Sequence, residues 1–439
     1  MQQQRYRHRV HHDPTAREPG TSHNGIGKLS LLQENTLARI TDTASLRIRA
    51  DIFFGISVQI IGIVFLARLI MDIGNRMVYP FIPQFSAGLG LTIAGFGWLL
   101  FFRGVVGITG PIFGVWSDRY GRRKILVAGL IGQAIGAISL AVSQQGWAVF
   151  PMVLAGLSAT AFIPAQQAYI SDQVPYQKRG RALASVEFGW SISAIVALPV
   201  IGWLIETFGW RSPLLALSLI SLIGAFIVQW QLPPTGERRV QASLPWLEIR
   251  TIFLMGNVIA SVSTAFLVFV AASVFITVWG IWLTAEFNFD AVILGLVATA
   301  IGVAELGGAG LSSLFIDRIG KKRGSGLAVF LMTVAYILLP LTQSASALAI
   351  ATLIVMGTIF EFTIISLIAL FSEQVPEARG TVLSLTFLGI GLGSAIAPPI
   401  TTILWEQYGL GIVCAVAAAS LLAALGLLWK FVPDYQTAP

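Results

Sequence analysis

Twelve apolar stretches, each near the length that crosses a bilayer, constrain this chain more than any other feature. A bilayer core takes about 20 apolar residues in helical form. A helix also satisfies its own backbone hydrogen bonds where water is absent. The stretches run approximately over 56–81, 93–116, 125–142, 147–170, 182–205 and 213–230. They continue over 259–283, 291–315, 326–341, 347–369, 381–404 and 410–431. The fold class they predict is an all-α integral membrane protein with twelve transmembrane helices. Connections are short except for one from Gln231 to about Asn257, which holds Pro233-Pro234, Arg238-Arg239 and a surface-helix pattern around Trp246–Arg250. The predicted division is a disordered polar tail over 1–51, six helices within 52–230, a linker over 231–257, six helices within 258–431 and a tail over 432–439.

The two sets of six helices echo each other. Gly114-Val-Trp-Ser-Asp118-Arg119-Tyr-Gly121-Arg122-Arg123-Lys124 returns as Ser313-Leu-Phe-Ile-Asp317-Arg318-Ile-Gly320-Lys321-Lys322-Arg323. In each copy an apolar segment ends in a knot of charge, with a glycine where a tight reversal would strain any side chain. Ser171-Asp172-Gln173-Val174-Pro175, closing on Arg179-Gly180, reappears as Ser372-Glu373-Gln374-Val375-Pro376, closing on Arg379-Gly380. A third pair is Glu206-Thr-Phe208-Gly209 against Glu406-Gln-Tyr408-Gly409. Each pair is separated by roughly 200 residues in the same order, which marks two homologous halves.

The Gly-x-x-x-Asp-Arg-x-Gly-Arg-Arg/Lys loop between the second and third helices resembles the signature of the major facilitator superfamily. The resemblance covers about Ile56 to Phe431, and Ser313 departs from it where the second copy would carry its first glycine. It implies two pseudo-symmetric six-helix bundles, a monomer, and transport by alternating access. The first, fourth, seventh and tenth helices would line a central cavity. Residues matching that lining include Asn75, Tyr79, Gln166, Gln167, Phe269, Trp279, Phe362 and Thr363, a mixture that suits an amphiphilic or aromatic substrate better than a sugar. The resemblance also implies a cytoplasmic gate. Asp118 would face the start of the eleventh helix near Gly380, and Asp317 the start of the fifth near Gly180. Arg122, Arg179 and Arg379 would add ion pairs with Asp172 and Glu373. Two branches of the family leave partial marks. Gly189, Pro199 and Gly202 resemble the fifth-helix motif of drug–proton antiporters, with Leu198 and Trp203 replacing expected glycines. Asp172, Pro175, Arg179 and Gly180 resemble a sugar-porter signature, whose later Pro-Glu-Ser-Pro-Arg run is missing here.

Composition agrees with a lipid environment. The chain has 439 residues, 55% hydrophobic and only 11% charged, with a mean hydropathy of +0.78, where a soluble domain carries charge on about a quarter of its residues. The net charge of +7 would suit a nucleic-acid binder, but its distribution excludes that class. Lys and Arg outside the helices lie in alternate loops, at 119–124, 178–181, 238–250, 318–323 and Arg379, and the intervening connections carry only Arg211. By the positive-inside rule the basic loops and both termini are expected in the cytoplasm, with the helices in the plasma membrane. Cys414 is the single cysteine, so no intramolecular disulfide can form. All four histidines, His8, His11, His12 and His23, lie in the first tail, and the chain has neither a nucleotide-binding loop nor a metal-ligand cluster. No cofactor is therefore expected, and an ion gradient would drive the work. No histidine or cysteine nucleophile lies in a catalytic setting within the helices, so enzymatic chemistry is not expected.

Seven charges sit inside the apolar segments: Arg68, Asp72, Arg76, Arg103, Glu187, Glu305 and Glu361. Each costs about 2.5–3.5 kcal/mol at mid-bilayer, so unpaired and facing lipid they would cost on the order of 20 kcal/mol together. They are expected to face inward. Arg68, Asp72 and Arg76 follow the i, i+4, i+8 spacing of one helix face, with Arg103 on the next helix. That stripe is either a static ion-pair network or a substrate and proton site. Glu361 has no cation on its own helix and sits near mid-span, so Asp72 and Glu361 are the leading proton-coupling candidates. Glu305 lies nearer the cytoplasmic end, and Glu187 fits an interfacial ion pair. The function these features predict is proton-coupled efflux of an amphiphilic small molecule by antiport. The alternatives are proton-coupled uptake of a sugar or organic acid, and a sensor or scaffold that no longer transports.

Overall fold

The computed structural model describes residues 56–234 and 246–434, and among them every regular element is helical. The tail predicted over 1–51, residues 235–245 of the linker and the last five residues lie outside the described set. Eleven helices are long and apolar enough to cross a membrane, or twelve with Ile82–Leu89 and Ile93–Thr109 taken as one bent pair. We number the spans α1 (Val58–Arg76), α2 (Ile93–Val105, carried through a 3-10 turn at Val106–Thr109 into Gly110–Tyr120), α3 (Arg122–Val142), α4 (Val149–Gln173), α5 (Tyr176–Phe208) and α6 (Ser212–Gln231). The second half gives α7 (Gly256–Phe287), α8 (Ala291–Ile319), α9 (Lys321–Ser344), α10 (Ser346–Phe371), α11 (Pro376–Tyr408) and α12 (Leu410–Phe431). The predicted surface helix in the linker is present as Trp246–Phe253.

One boundary differs from the sequence expectation. The first apolar stretch continues to residue 81, yet α1 stops at Arg76 and the chain turns before a separate helix, Ile82–Leu89. Pro80 has no N–H to give a continuing helix, and Pro83 fits the first turn of the next one. That short helix ends at Gly90, whose φ of 69° closes a reversed turn with hydrogen bonds to Ala87 O and Ser86 O. The chain then enters α2 at 101° to it.

The duplicated sequence gives duplicated backbone. Gly121 and Gly320, in the charged loops, have φ of 93° and 90°. Gly209 and Gly409, in the third echo, have φ of 83° and 73°, and Gly90 is matched by Asn288 at 52°. Asparagine is the usual substitute for glycine in this left-handed region.

Contacts between helices sort by end. Within the first half α3 packs on α4 and α6, and within the second α7 packs on α11 and α12. Between halves the main contacts are α2 with α11 and α5 with α8. These crossings are close only at the end away from the basic loops. A Cβ at Gly97 would lie 2.0 Å from Thr402 Oγ1, and one at Gly202 would lie 2.2 Å from Ala291 O. Toward the basic loops, Gly107 and Gly114 on α2, Gly180 on α5, Gly307 and Gly310 on α8 and Gly380 on α11 face open space. On α2 it is Gly97 and Gly104 that supply the close packing. The buried core follows the same division. One cluster joins Phe81, Phe85 and Ile201 of the first half to Trp282 and Leu294 of the second, while another, around Leu130, Phe162 and Tyr169, stays within the first half. The two halves are therefore shut at the far end and parted at the basic end.

Two proline sites tune these crossings. Pro199 cannot bond to Ile195 O, four residues earlier, because it has no N–H. A π-helical turn spans Ser193–Ala197, and the freed carbonyl accepts a 3.4 Å bond from Thr299 Oγ1 on α8. On α11, Pro398 and Pro399 sit inside the helix and Thr402 Oγ1 donates to Pro398 O at 2.9 Å.

Lipid offers no hydrophobic drive for helices to associate, so close backbone packing carries much of the stability. A Cβ at Gly393 of α11 would lie 2.5 Å from Phe266 O of α7, whereas Gly391 has open space. Gly393→Val should destabilise the detergent-solubilised protein by about 1–3 kcal/mol through overpacking, and Gly391→Val should be tolerated. Thermal unfolding of the pair checks this, and equal effects would refute the packing assignment.

Candidate functional site

The stripe on α1 faces the interior, where Arg68, Asp72 and Arg76 are all buried. Arg68 is the hub. Its Nε donates to both Asp72 oxygens at 3.0 and 2.8 Å. Its Nη1 and Nη2 reach the two oxygens of Glu187 on α5 at 3.1 and 2.9 Å, and Nη1 also reaches Gln166 Oε1 on α4 at 3.1 Å. A planar guanidinium with five donors suits this fork, which a lysine could not fill. The approach of α5 depends on Gly189, where a Cβ would lie 3.2 Å from Asp72 Oδ2. Glu187 keeps 43% of its side chain exposed and takes a second bond from Gln167 Nε2 at 3.0 Å.

Two turns along α1 from Arg68, Arg76 crosses to the other half. Its Nη2 meets Glu305 Oε1 on α8 at 2.7 Å, with both side chains buried. Nη1 donates to Trp190 O at 3.4 Å, and the guanidinium carbon lies 4.8 Å from the centre of the Trp190 ring. The remaining Glu305 oxygen, Oε2, is buried without a hydrogen-bond partner. Glu361 on α10 is partly buried and makes no hydrogen bond or ion pair among the described residues, though it lies within electrostatic reach of Glu305 and Arg76. Arg103 belongs elsewhere. It donates to Asn75 Oδ1 at 2.7 Å and Gly74 O at 3.2 Å, inside the first half.

A narrow cavity, with room for little more than a water molecule, adjoins this cross-half pair. Arg76, Tyr79, Trp190, Phe275, Trp279 and Glu305 are among its walls, drawn from α1, α5, α7, α8 and the turn after α1. Of the lining residues that the family resemblance implies, Tyr79 and Trp279 are here. Gln166 is tied to Arg68, and Thr363 bonds its own helix at Ile359 O. Phe362 lines a separate apolar groove between α8, α9 and α10. Trp190 and Phe275 were missed by the sequence reading. Trp190 follows Glu187 by one helical turn on α5, and that spacing is the signal that would have found it.

The charged loops form two clusters, each within its own half. Arg122 holds Asp118 at 2.6 Å and Asp172 at 3.1 Å, and it donates to Ser117 Oγ at 3.2 Å. In the second half Lys321 pairs with Glu373. Arg179 donates to Val174 O at 3.1 Å, while Asp317 and Arg379 are exposed, with no ion pair among the described residues. The docking points expected for the aspartates, near Gly380 and Gly180, face open space. The latch between halves is not engaged in this arrangement, whose far end is shut, and the parted basic end leaves each cluster to close on itself.

A family model described as Major Facilitator Superfamily matches residues 64–280 and 262–439. The chain belongs to the major facilitator superfamily. The multi-drug resistance efflux pump PmrA of Streptococcus pneumoniae is 24% identical over 81% of this chain and 91% of that protein. The class C tetracycline resistance protein of Escherichia coli is 27% identical over 84% and 92%. Among solved structures, the D-xylose-proton symporter matches with a TM-score of 0.72 at 18% identity, over 85% of this chain and 98% of that one. The last likeness concerns the fold alone. This superfamily chain is accordingly a multi-pass membrane transporter with about twelve spans.

The hub has a measurable consequence. Arg68→Leu would leave the buried Asp72 carboxylate uncompensated, at a cost of about 3–5 kcal/mol. Adding Asp72→Asn to it should recover a large part of that loss in thermal unfolding. No recovery would mean that Asp72 is not the partner Arg68 serves.

Proposed function

We propose that this transporter exports an amphiphilic small molecule in exchange for protons, by alternating access of a single site between its halves. The observation that carries the reading is the buried Arg76–Glu305 pair, which joins α1 to α8 beside an aromatic cavity and lies within electrostatic reach of Glu361. An ion pair across two moving bodies can be exchanged for other partners. Protonating a carboxylate here removes its attraction to Arg76, and a cationic or donor group of the substrate would take that same carboxylate, so proton and substrate compete for it. Glu305 and Glu361 are assigned the proton-carrying role. Asp72, with both oxygens on Arg68, is assigned to the fixed frame with Glu187.

The charge distribution and the relatives support the outward direction. The basic loops are placed in the cytoplasm by the positive-inside rule, which makes the parted end the cytoplasmic one. Efflux is the activity named for the PmrA relative, and the aromatic walls of the cavity suit an amphiphile. The protein would act as a monomer in the plasma membrane with no cofactor. Asp118, Arg122, Asp172, Arg179, Asp317, Glu373 and Arg379 would latch the cytoplasmic end in the alternate state.

Inside-out vesicles carrying the protein and an established proton gradient test this directly. A panel of amphiphilic cations, sugars and organic acids is added while a pH-sensitive dye reports the gradient. One amphiphilic class is expected to dissipate it, and Glu361→Gln or Glu305→Gln to abolish that response. A response to sugars alone, or one that survives both substitutions, would overturn the assignment.

A further inference from the structure

Glu206 and Glu406 occupy matching places at the far end, two residues before the last residues of α5 and α11. Each reaches across to the opposite half. Glu206 Oε1 accepts from Ala291 N, the first residue of α8, at 2.8 Å. Glu406 Oε1 accepts from Ala94 N, in the first turn of α2, at 2.9 Å. Those two helix starts are also capped from their own chain segments, by Asp290 Oδ1 on Ile293 N at 2.8 Å and Thr92 Oγ1 on Gly95 N at 3.0 Å.

We propose that Glu206 and Glu406 are a symmetric pair of positioning residues that hold the far gate shut, each by capping a helix of the opposite half. Three observations converge on this. The bonds join α5 to α8 and α11 to α2, the two main crossings that join the halves at the closed end. Immediately inward lie the close approaches at Gly202 and Gly97, so the carboxylates tie off two zippered seams. Both glutamates are solvent-exposed, which makes their bonds breakable without burying a charge. The pairing also sets a carboxylate on the positive end of a helix dipole, the electrostatic device expected of Asp118 and Asp317 at the opposite end. The same sequence echo that marks the duplication therefore supplies one clasp to each seam.

The inference rests on the alternating-access reading, and its test separates the two. Spin labels at Thr207 and Gln407, both exposed and on opposite halves, report distance across the far end of the full chain in a Cys414→Ser background. Labels at Tyr176 and Glu377 report the basic end. Glu206→Ala with Glu406→Ala should raise the far-end-open population about tenfold, since each exposed carboxylate–dipole contact is worth a factor of about two to five, and the basic-end distance should shorten in step. Glu206→Gln with Glu406→Gln keeps size and an acceptor oxygen, so a smaller shift in the same direction is expected. Lowered thermal stability with unchanged distances at both ends would reduce the glutamates to static packing and overturn the proposal. If the populations shift while no panel compound moves protons, the clasp stands and the antiport reading falls.

Discussion

A charge inside a bilayer must find a partner, and Arg76 finds its partner on the other half of the molecule. Its 2.7 Å contact with Glu305 joins α1 to α8 through a buried pair. Burying either group alone would be costly, so the two halves cannot part here without a substitute for one partner. Glu361, with no ion pair among the described residues, lies within electrostatic reach of both. The rest of the network is arranged so that this contact alone is open to exchange. Arg68 divides its donors among Asp72, Glu187 and Gln166 and fixes α1 to α4 and α5 inside one half.

Around that point the two halves meet unevenly. At the far end, glycines remove the side chains that would separate α2 from α11 and α5 from α8, and backbone nearly touches backbone. At the basic end the same four helices carry glycines that face open space. The charged loops there are satisfied within each half by Arg122 and by Lys321. A rocking motion would exchange these roles. At the far end a carboxylate is aimed at the start of a helix, the device proposed for Asp118 and Asp317 in the alternate state, so an alternating cycle would trade one set of caps for another.

Much of this was legible in the sequence, for physical reasons. Span positions follow from lipid, the duplication from repeated motifs, and the turns at Gly121 and Gly320 from the conformations that only glycine adopts freely. The i, i+4, i+8 stripe on α1 correctly put Arg68, Asp72 and Arg76 on one buried face. What could not be read was which partner each charge takes. Periodicity fixes a face but not the helix opposite it, so Glu305 was ranked below Asp72 and Arg103 was set near the stripe rather than against Asn75. The break of α1 at Arg76 was hidden because the apolar run continues through Pro80. Which end of α2 packs on the other half depends on which side of the protein is open. That is a property of the conformation, and a single sequence encodes both.

The claim on which the whole reading turns is that Arg76 and Glu305 act as one unit that favours the arrangement parted at the basic end. Single-molecule distance measurements across that end, in the wild type and in Arg76→Gln, Glu305→Gln and the double variant, test it most directly. The account predicts that either single change depopulates the basic-end-open state and that the double change adds little beyond one of them, because both remove the same contact. Populations that do not respond, or responses that simply add, would contradict it.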